Sequence, residues 1–461
     1  MTVTLRPDAR LRSSPDGRVL LGGSPLRMLR LSPAGARRVR GWFAGEPVGS
    51  AASAQALAQR MLAAGVAHPT AERGRHTTAD VTVVVPVKDN LTGLTRLLAA
   101  TGDVSSRIVV DDGSAEPITG AVAEDGDSTH ATPAVTIIRH PAARGPAAAR
   151  NSGCRAVATE LIAFLDSDIV PDPGWLAPLL PLFDDSAVAA VAPRVRTFEH
   201  GALGSYEAHR SSLDMGGEPA VVRPGGRISY VPTAALVVRR SAWERAGGFD
   251  ESLRYGEDVD LVWRLVGDGK VVRYQPDSVV RHEPRTTLRA WLRQRYDYGT
   301  SAAVLARRHP GHLHCARLPR STAFRWATIA LGRPGLGIAT AVEPVRQLRR
   351  LRAAGLPASM AATVVGEAEV SAVCQLADAL RRIWWPAALF SRRGRRLLLA
   401  AYLPVMARAV AAGRDPRAGL LRIADDLAYG MGVWAGCLRS RTAEPVVPLL
   451  YRIEGDSDAS G

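Results

Sequence analysis

The sequence predicts an α/β protein whose mostly parallel central sheet lies between a small N-terminal domain and a mainly helical C-terminal region. Two observations predict this fold class. Short continuous apolar runs follow one another from residue 81, and helix-like stretches separate most of them. Continuous apolar runs are typical of strands buried on both faces, as in parallel sheets. A chain of 461 residues also has room for two or three domains.

The N-terminal domain is predicted over residues 1–70. Its sequence contains short strand-like pieces and two helix-like runs, at Pro33–Phe43 and Ser53–Ala64. Gly65 follows the second run, and glycine commonly caps the carboxyl end of a helix. Residues 71–80 are polar and aperiodic, which predicts a linker.

The sheet domain is predicted over residues 81–300. In open α/β sheets the ligand binds beyond the carboxyl ends of the strands, so the polar residues there are the candidates for function. The predicted strands are Val81–Val87, Ile108–Val110, Val135–Ile138, Leu161–Leu165 and Ala187–Val191. The clearest helices between them are Pro146–Ala158 and Gly174–Phe183.

Residues 301–461 are rich in Arg, Ala and Leu and predict helices. Their apolar stretches are each broken by a charged residue: Ala353–Gly366, Leu397–Ala407 and Leu427–Leu438. None reaches the roughly 18 to 20 uninterrupted apolar residues of a spanning helix. Buried amphipathic helices are the favoured interpretation. A platform on a membrane surface is the alternative, because arginines at 392–396 lie close to Trp384 and Trp385.

Composition narrows the function classes. The net charge of +15 would suit a nucleic acid or an anionic membrane. Only Lys88 and Lys270 are lysines, however, so the charge is almost all arginine. With abundant Ala, Gly and Pro, this is equally typical of a GC-rich bacterial genome, and we predict no nucleic-acid partner. Four widely spaced cysteines and an N-terminus without a signal peptide favour the cytoplasm.

The first two predicted strands end in acidic loops. The first is followed by Lys88, Asp89 and Asn90, and the second by Asp111, Asp112, Gly113 and Ser114. Carboxylates there can accept hydrogen bonds from a base or from ribose hydroxyls. An ordinary turn is the alternative, because Asp, Gly and Ser are turn formers.

Two further motifs contain charged residues that could contact a diphosphate or a metal ion. Arg144 and Arg150 flank a predicted helix start, where an arginine suits a diphosphate, although a solvated arginine on a packed helix fits equally well. Asp166-Ser167-Asp168 directly follows the fourth strand. Two carboxylates so close together suit Mg²⁺ or Mn²⁺. A D-x-D occurs often by chance, so its position gives it weight.

The last acidic pair, Glu257-Asp258, precedes apolar residues at helical spacing and is predicted at a helix N-terminus. The functional interpretation is a general base for an acceptor hydroxyl. The alternative is simple complementation of the helix dipole. His282 follows the apolar pair Val279-Val280 and is interpreted as a metal ligand, with a partly buried structural histidine as the alternative.

Taken in order, these motifs resemble the family 2 glycosyltransferases. The six matching segments lie between residues 81 and 285: Val84–Val87, Val110–Ser114, Ala149–Gly153, Phe164–Asp168, Gly247–Glu251 and Gly256–Leu261. The resemblance implies a GT-A fold, an inverting hexosyltransferase, a UDP- or GDP-linked sugar donor, and Mn²⁺ or Mg²⁺.

The resemblance also implies roles for individual residues. It assigns Asp258 as the base, with Glu257 placing acceptor or donor, and Asp168 and His282 as metal ligands. Its nucleotide-sugar contacts are Pro86, Val87, Asp89, Asp111, Asp112, Arg150 and Asp166.

The flanking regions imply a narrower family. Residues 1–70 are similar to the winged-helix-like peptide-recognition domain of the pyrroloquinoline quinone pathway, with Gly22–Arg27 and Leu31–Gly35 carrying the likeness. The whole chain, including Tyr298–Ala303 and Ala306–Gly311, resembles the mycofactocin-system glycosyltransferases of actinobacteria. That implies transfer of glucose, in β-1,4-linked chains, from UDP-glucose to the peptide-derived premycofactocin. It also implies that residues 1–70 contact a precursor peptide or a pathway protein.

Two other functions stay open at this point. A cell-envelope glycosyltransferase with a lipid or polysaccharide acceptor would suit the basic C-terminal region, on the inner face of the membrane. An inactive binding module is the alternative from another class, and donor hydrolysis would exclude it.

Overall fold

The computed structural model of the chain describes residues 3–70, 74–119, 135–338, 340, 342–411 and 417–452. The chain forms two compact units, Met1–Arg285 and Thr286–Gly461. The strands of the first unit are β1 (Thr4–Pro7), β2 (Arg12–Ser13), β3 (Val19–Gly22), β4 (Arg27–Arg30), β5 (Ala67–Thr70), β6 (Val81–Val87), β7 (Ser106–Asp111), β8 (Val135–Arg139), β9 (Leu161–Leu165), β10 (Ile169–Pro171), β11 (Val188–Thr197), β12 (Ala220–Val221), β13 (Ala235–Arg239) and β14 (Val271–His282). Its helices are α1 (Pro33–Phe43), α2 (Ala52–Ala64), α3 (Leu91–Ala100), α4 (Pro146–Cys154), α5 (Gly201–Arg210), α6 (Arg240–Arg245) and α7 (Glu257–Gly267).

The N-terminal part of the first unit consists of α1, α2 and two small sheets, β2–β3–β4 and β1–β5. Helix α1 begins where Ser32 accepts a hydrogen bond from the Gly35 N–H at 3.1 Å, and α2 ends at Gly65 with φ +69°. Both predicted helices are therefore confirmed. Their core contains fully buried Trp42 and Met61.

This N-terminal part contacts the loop that follows β12. Asp8 accepts a hydrogen bond from Arg227 Nη2 at 3.2 Å and another from His68 Nε2 at 3.0 Å. Arg223 donates to the Ala63 carbonyl at 2.7 Å. Burial lowers the pKa of His68 despite the hydrogen bond to Asp8, so the pair is a neutral imidazole beside a carboxylate.

The central sheet has the strand order β10-β14-β11-β13-β9-β6-β7-β8, with β12 on β14. Strands β9, β6, β7 and β8 are parallel, and β13 and β11 extend the sheet by antiparallel pairing. The predicted α/β class is confirmed. Helix α4 packs tightly on this sheet, because a Cβ at Gly153 would lie 2.5 Å from Val84 Cγ1.

One predicted helix is wrong. The stretch Gly174–Phe183 forms turns followed by a 3₁₀ helix over Leu180–Asp184. Pro178 and Pro181 lie within this stretch. Each proline lacks an N–H donor and clashes with the preceding turn, so a regular α-helix cannot form.

The second unit is helical. It consists of α8 (Leu288–Arg308), α9 (Arg320–Ala330), α10 (Pro334–Ile338), α11 (Val342–Ala353), α12 (Ala358–Arg382), α13 (Trp385–Leu389), α14 (Arg392–Ala411) and α15 (Arg417–Ser440), with the strands β15 (Arg317–Pro319) and β16 (Leu449–Tyr451). The predicted boundary between residues 300 and 301 lies inside α8. Helices α8 and α15 cross closely, because a Cβ at Gly299 would lie 2.2 Å from the Tyr429 carbonyl oxygen.

Helix α12 has the length and composition of a membrane-crossing segment, which sequence analysis did not identify. Its most apolar 18-residue window has a mean hydropathy of 1.2, and 17% of that window is buried. Within the part of the chain that the structure describes, no other helix meets both criteria.

Candidate active site

A cavity of about 490 Å³ opens beyond the carboxyl ends of β6 and β7. Asp89 and Asn90 line it from the loop after β6, and Ser114 and Ile118 line it from the loop after β7. Its volume lies in the range of small-ligand pockets. The cavity lies at the edge of the sheet where the sequence predicts ligand binding.

Pro86 and Val87 end the strand that leads into this cavity. Val87 is buried, and its carbonyl accepts a hydrogen bond from the Asp112 N–H at 2.9 Å. Pro86 is tolerated in a central strand because the pairing of β6 with β9 ends at Val84, so a proline there does not interrupt that ladder.

Asp89 is exposed at the mouth of the cavity and holds a left-handed backbone, with φ +52°. Few residues other than glycine adopt this conformation, although Asp tolerates it better than most. Two hydrogen bonds stabilise it. The Ala115 N–H donates to Asp89 Oδ1 at 2.8 Å, and the Asp89 N–H donates to Ser114 Oγ at 3.0 Å.

Asp111 is fully buried and organises the loop after β7. Its carboxylate accepts hydrogen bonds from the Ser114 N–H at 2.9 Å and the Ile118 N–H at 3.2 Å, and it pairs with Arg139. Burial opposes its ionisation, but these hydrogen bonds outweigh burial and lower its pKa. The ionised carboxylate thus shapes one wall of the cavity from within.

Asp112 organises the loop before α4. Its oxygens accept hydrogen bonds from the Arg144 and Gly145 N–H groups, at 2.9 and 2.8 Å. His140 Nδ1 lies 2.7 Å from Asp112 Oδ1. Sequence reasoning missed His140, because a single histidine after a strand carries no signal without its partner. Asp112 therefore fixes the start of the helix that carries Arg150.

Arg150 joins the two acidic motifs. Its side chain is 3% exposed. Nη2 donates to Asp166 at 2.6 Å, and Nη1 donates to Glu257 at 2.9 Å. Burial disfavours the charged guanidinium, but Asp166 and Glu257 outweigh this and raise the pKa of Arg150. Both terminal nitrogens of this predicted diphosphate contact are thus engaged by carboxylates.

Asn151, the next residue, secures the segment that precedes Glu257. It donates to the Phe249 carbonyl at 2.9 Å and accepts from the Phe249 N–H, also at 2.9 Å. This pair of hydrogen bonds ties α4 to the Gly247–Glu251 segment. The two segments Ala149–Gly153 and Gly247–Glu251 are far apart in sequence, and these hydrogen bonds hold them together in the fold.

Asp166-Ser167-Asp168 occupies the turn between β9 and β10. Asn90 Nδ2 donates to Ser167 Oγ at 3.1 Å, which ties this turn to the cavity loop. Burial and then the Asp168 charge raise the pKa of Asp166, against the opposing effect of Arg150. Burial also opposes ionisation of Asp168, but His282 outweighs it, so the pKa of Asp168 is lowered.

Asp168 and His282 face each other because β10 pairs with β14, with Ile169 opposite His282. Asp168 Oδ2 lies 3.5 Å from His282 Nε2. Burial opposes protonation of His282, but Asp168 outweighs it and raises the pKa of His282.

The 3.5 Å between Asp168 Oδ2 and His282 Nε2 is close to, and slightly longer than, the separation of two ligand atoms on one divalent cation. With metal–ligand bonds of about 2.1 Å, adjacent ligand atoms are about 3.0 to 3.4 Å apart. Among the described residues no group of three His, Cys, Asp or Glu side chains is arranged to hold a metal.

Glu257 and Asp258 begin α7, as predicted. Glu257 is buried against Arg150, whereas Asp258 is half-buried and accepts from the Val259 N–H at 2.8 Å. Burial, and next the Glu257 charge, raise the pKa of Asp258 to about 7. A carboxylate with this pKa can accept a proton near neutral pH.

The chain resembles known proteins over two different spans. The model of glycosyl transferase family 2 matches residues 82–245. Over 97% of the chain, and 99% of its own length, the pre-mycofactocin glycosyltransferase of Mycobacterium tuberculosis (strain ATCC 25618 / H37Rv) is 41% identical. The succinoglycan biosynthesis protein ExoU of Rhizobium meliloti (strain 1021) is 30% identical over 41% of the chain and 58% of its own length.

Solved structures give weaker matches. A mannosyltransferase of Pyrobaculum calidifontis in complex with GDP-Man and Mn²⁺ is 20% identical with a TM-score of 0.38, over 69% of this chain and 92% of that one. GalNAc-T7 with UDP, GalNAc and Mn²⁺ is 16% identical with a TM-score of 0.35, over 49% of this chain and 51% of that one.

Proposed function

Because the chain belongs to family 2 of the glycosyltransferases and, within it, to the pre-mycofactocin glycosyltransferases, we propose that it transfers a hexose from a UDP-sugar to premycofactocin, with inversion at the anomeric carbon. The proposed donor is UDP-glucose, and the proposed product is a β-1,4-linked glucose chain. The observation that carries the mechanism is Asp258, with its pKa near 7 and its link through Glu257 and Arg150 to the Asp166 turn.

The cavity beyond β6 and β7 is the proposed nucleoside site. Asp89 at its mouth and the backbone of the Ser114 loop supply acceptors and donors for a base and a ribose. Asp111 and Asp112 act there by holding the cavity loops, since their oxygens already accept hydrogen bonds from protein groups. They position the nucleoside site by holding these loops in place.

Asp258 is the proposed general base. It takes the proton of an acceptor hydroxyl as the hydroxyl oxygen attacks the anomeric carbon. The bond from that carbon to the nucleoside diphosphate breaks in the same displacement, which inverts the configuration. Burial, and next the Glu257 charge, keep the pKa of Asp258 high enough for this task, and Arg150 keeps Glu257 in place.

Asp168 and His282 are the proposed ligands of Mn²⁺ or Mg²⁺. The cation, when bound, neutralises negative charge on the diphosphate of the donor. The lowered pKa of Asp168 keeps its carboxylate ionised for such a role.

The share of this chain that each relative matches supports the choice of acceptor. The relative named for premycofactocin matches nearly the whole chain, including both flanking regions. The relatives named for succinoglycan and O-antigen synthesis match 41% and 31% of it. This difference favours a premycofactocin acceptor over a cell-envelope acceptor. Residues 1–70 are proposed to receive the precursor peptide or a pathway protein, because the same relative spans them.

Two measurements test the proposal. The purified protein with Mn²⁺ should release UDP from UDP-glucose, and an inactive binding module should not. Extracts of a deletion strain, analysed by mass spectrometry, should lose the series of hexose additions on a redox-active core. An unchanged series would refute the acceptor, while release of UDP would still support the reaction class.

A further inference from the structure

Two turns of the second unit lie together and expose apolar side chains. One turn joins α9 to α10 and contains Leu331. The other joins α13 to α14 and contains Phe390, which directly follows Leu389, the last residue of α13. Arg393, at the start of α14, donates through Nη1 to the Leu331 carbonyl, which connects this helix start to the first turn. We refer to Leu331, Leu389 and Phe390 as the apolar tip.

All three side chains of the tip are exposed. Phe390 is 90% exposed, Leu331 61% and Leu389 47%. A phenylalanine can bury about 150 to 250 Å², and neighbouring exposed apolar side chains mark surfaces that bind a partner or a membrane. The intramolecular packing of the second unit thus leaves this area uncovered.

Helix α14, which follows Phe390 in the chain, carries a mixed stripe of basic and apolar residues. Arg392, Arg396, Leu399 and Leu403 follow one another at intervals of four, three and four residues, so they share one face of the helix. Leu399 is 68% exposed and Leu403 66%, and both arginines are exposed. No Asp or Glu occurs from residue 379 to residue 414.

We propose that the apolar tip and the α14 stripe bind an anionic lipid bilayer. Phe390 and Leu331 would enter the boundary between headgroups and acyl chains, and the arginines would contact lipid phosphates. The guanidinium suits phosphate because it donates two parallel hydrogen bonds. A nucleic acid would engage the arginines only, and would leave Phe390, Leu399 and Leu403 in water. The combination of both side-chain types therefore favours a bilayer.

The test uses the full-length protein and sedimentation with vesicles of phosphatidylcholine, alone or with 30% phosphatidylglycerol. The wild type should bind the anionic vesicles and not the neutral ones. Each arginine at an anionic surface contributes about 1 kcal/mol, so Arg392→Gln with Arg396→Gln should weaken binding about thirtyfold. Phe390→Ser with Leu331→Ser should also release the protein from the anionic vesicles.

The matched control is Arg37→Gln with Arg60→Gln. These two arginines are exposed in the N-terminal part, and the change removes the same charge. The control should bind vesicles as the wild type does. Equal loss in the control would show that only net charge matters and would overturn the proposal.

Two further outcomes would also overturn it. If the wild type binds neither kind of vesicle, the surface is not a lipid site. If Phe390→Ser with Leu331→Ser changes the oligomeric state in light scattering, and vesicle binding stays unchanged, the surface joins two copies of the chain. Release of UDP from UDP-glucose and the far-UV circular dichroism spectrum should be unaltered in every variant, which shows that each one is folded.

Discussion

Replacing Asp258 with Asn tests the proposed base with little change of shape. The amide oxygen of Asn can still accept the hydrogen bond from the Val259 N–H, which is 2.8 Å from Asp258 Oδ1. The start of α7 is therefore preserved. What the amide cannot do is take a proton from an acceptor hydroxyl.

The expected loss of transfer activity follows from the role of Asp258 as a general base and from its pKa. General-base catalysis contributes about 100- to 10,000-fold, so the variant should lose transfer by that factor. In the wild type the base must be ionised, and the pKa of Asp258 is about 7. Its activity should therefore be present above pH 7 and should fall about fiftyfold from pH 7 to pH 5, as the ionised fraction drops from about half to about 1%. The Asn variant should show no such change.

The assay is kcat/KM for glucosyl transfer against pH, with nucleotide affinity measured separately by calorimetry. Glu257→Gln is the companion variant. Because the Glu257 charge raises the pKa of Asp258, its removal should move the midpoint of the profile below pH 7. Near wild-type transfer by the Asn variant, or a midpoint near 7 that survives in it, would show that another group is the base.

Three further predictions have defined outcomes, and the last of them compares two glycine substitutions. Asp168→Ala should lower turnover about 100-fold or more, since charge stabilisation by a metal contributes several kcal/mol. The variant should also bind Mn²⁺ more weakly, as measured by electron paramagnetic resonance. An unchanged Mn²⁺ titration would exclude Asp168 as a ligand. Arg150→Met leaves Asp166 and Glu257 without their shared partner, and the loss of one member of a buried charge pair costs about 3 to 5 kcal/mol in the free energy of unfolding; urea unfolding that matches the wild type would contradict this. Gly299→Ala puts a Cβ 2.2 Å from the Tyr429 carbonyl oxygen and should destabilise the second unit by about 1 to 3 kcal/mol. Gly366→Ala has nothing within 4 Å of the added Cβ and should raise stability by about 0.5 to 1 kcal/mol. Thermal unfolding that ranks the two variants alike would refute the packing argument.

Much of the fold could be predicted because its signals are local. The apolar runs Val81–Val87 and Leu161–Leu165 are strands with the same bounds in the structure. Glu257 begins α7 because apolar residues follow it at helical spacing. Prolines caused the one clear failure, at Gly174–Phe183, where the spacing of apolar residues fitted a helix but the missing N–H groups did not.

The candidate site was less predictable, because its partners come from distant parts of the chain. Asp111 and Asp112 have the side chains of ligand-binding residues, yet their oxygens accept hydrogen bonds from loop N–H groups. Arg150 was predicted beside a diphosphate, and the structure shows it between Asp166 and Glu257. Nothing in the residues next to Arg150 indicates these two partners.

The position of Arg150 has a consequence for how this active site can change. A guanidinium shared by two carboxylates makes the three residues energetically interdependent, so substitutions at Asp166 and Glu257 should not be additive in a thermodynamic cycle. Loss of either acid leaves the arginine with excess charge in a buried position, and loss of the arginine leaves both acids repelling each other. Single replacements of Arg150, Asp166 or Glu257 should therefore be rare in the family. Changes of donor or acceptor specificity should occur at neighbouring residues while these three are kept.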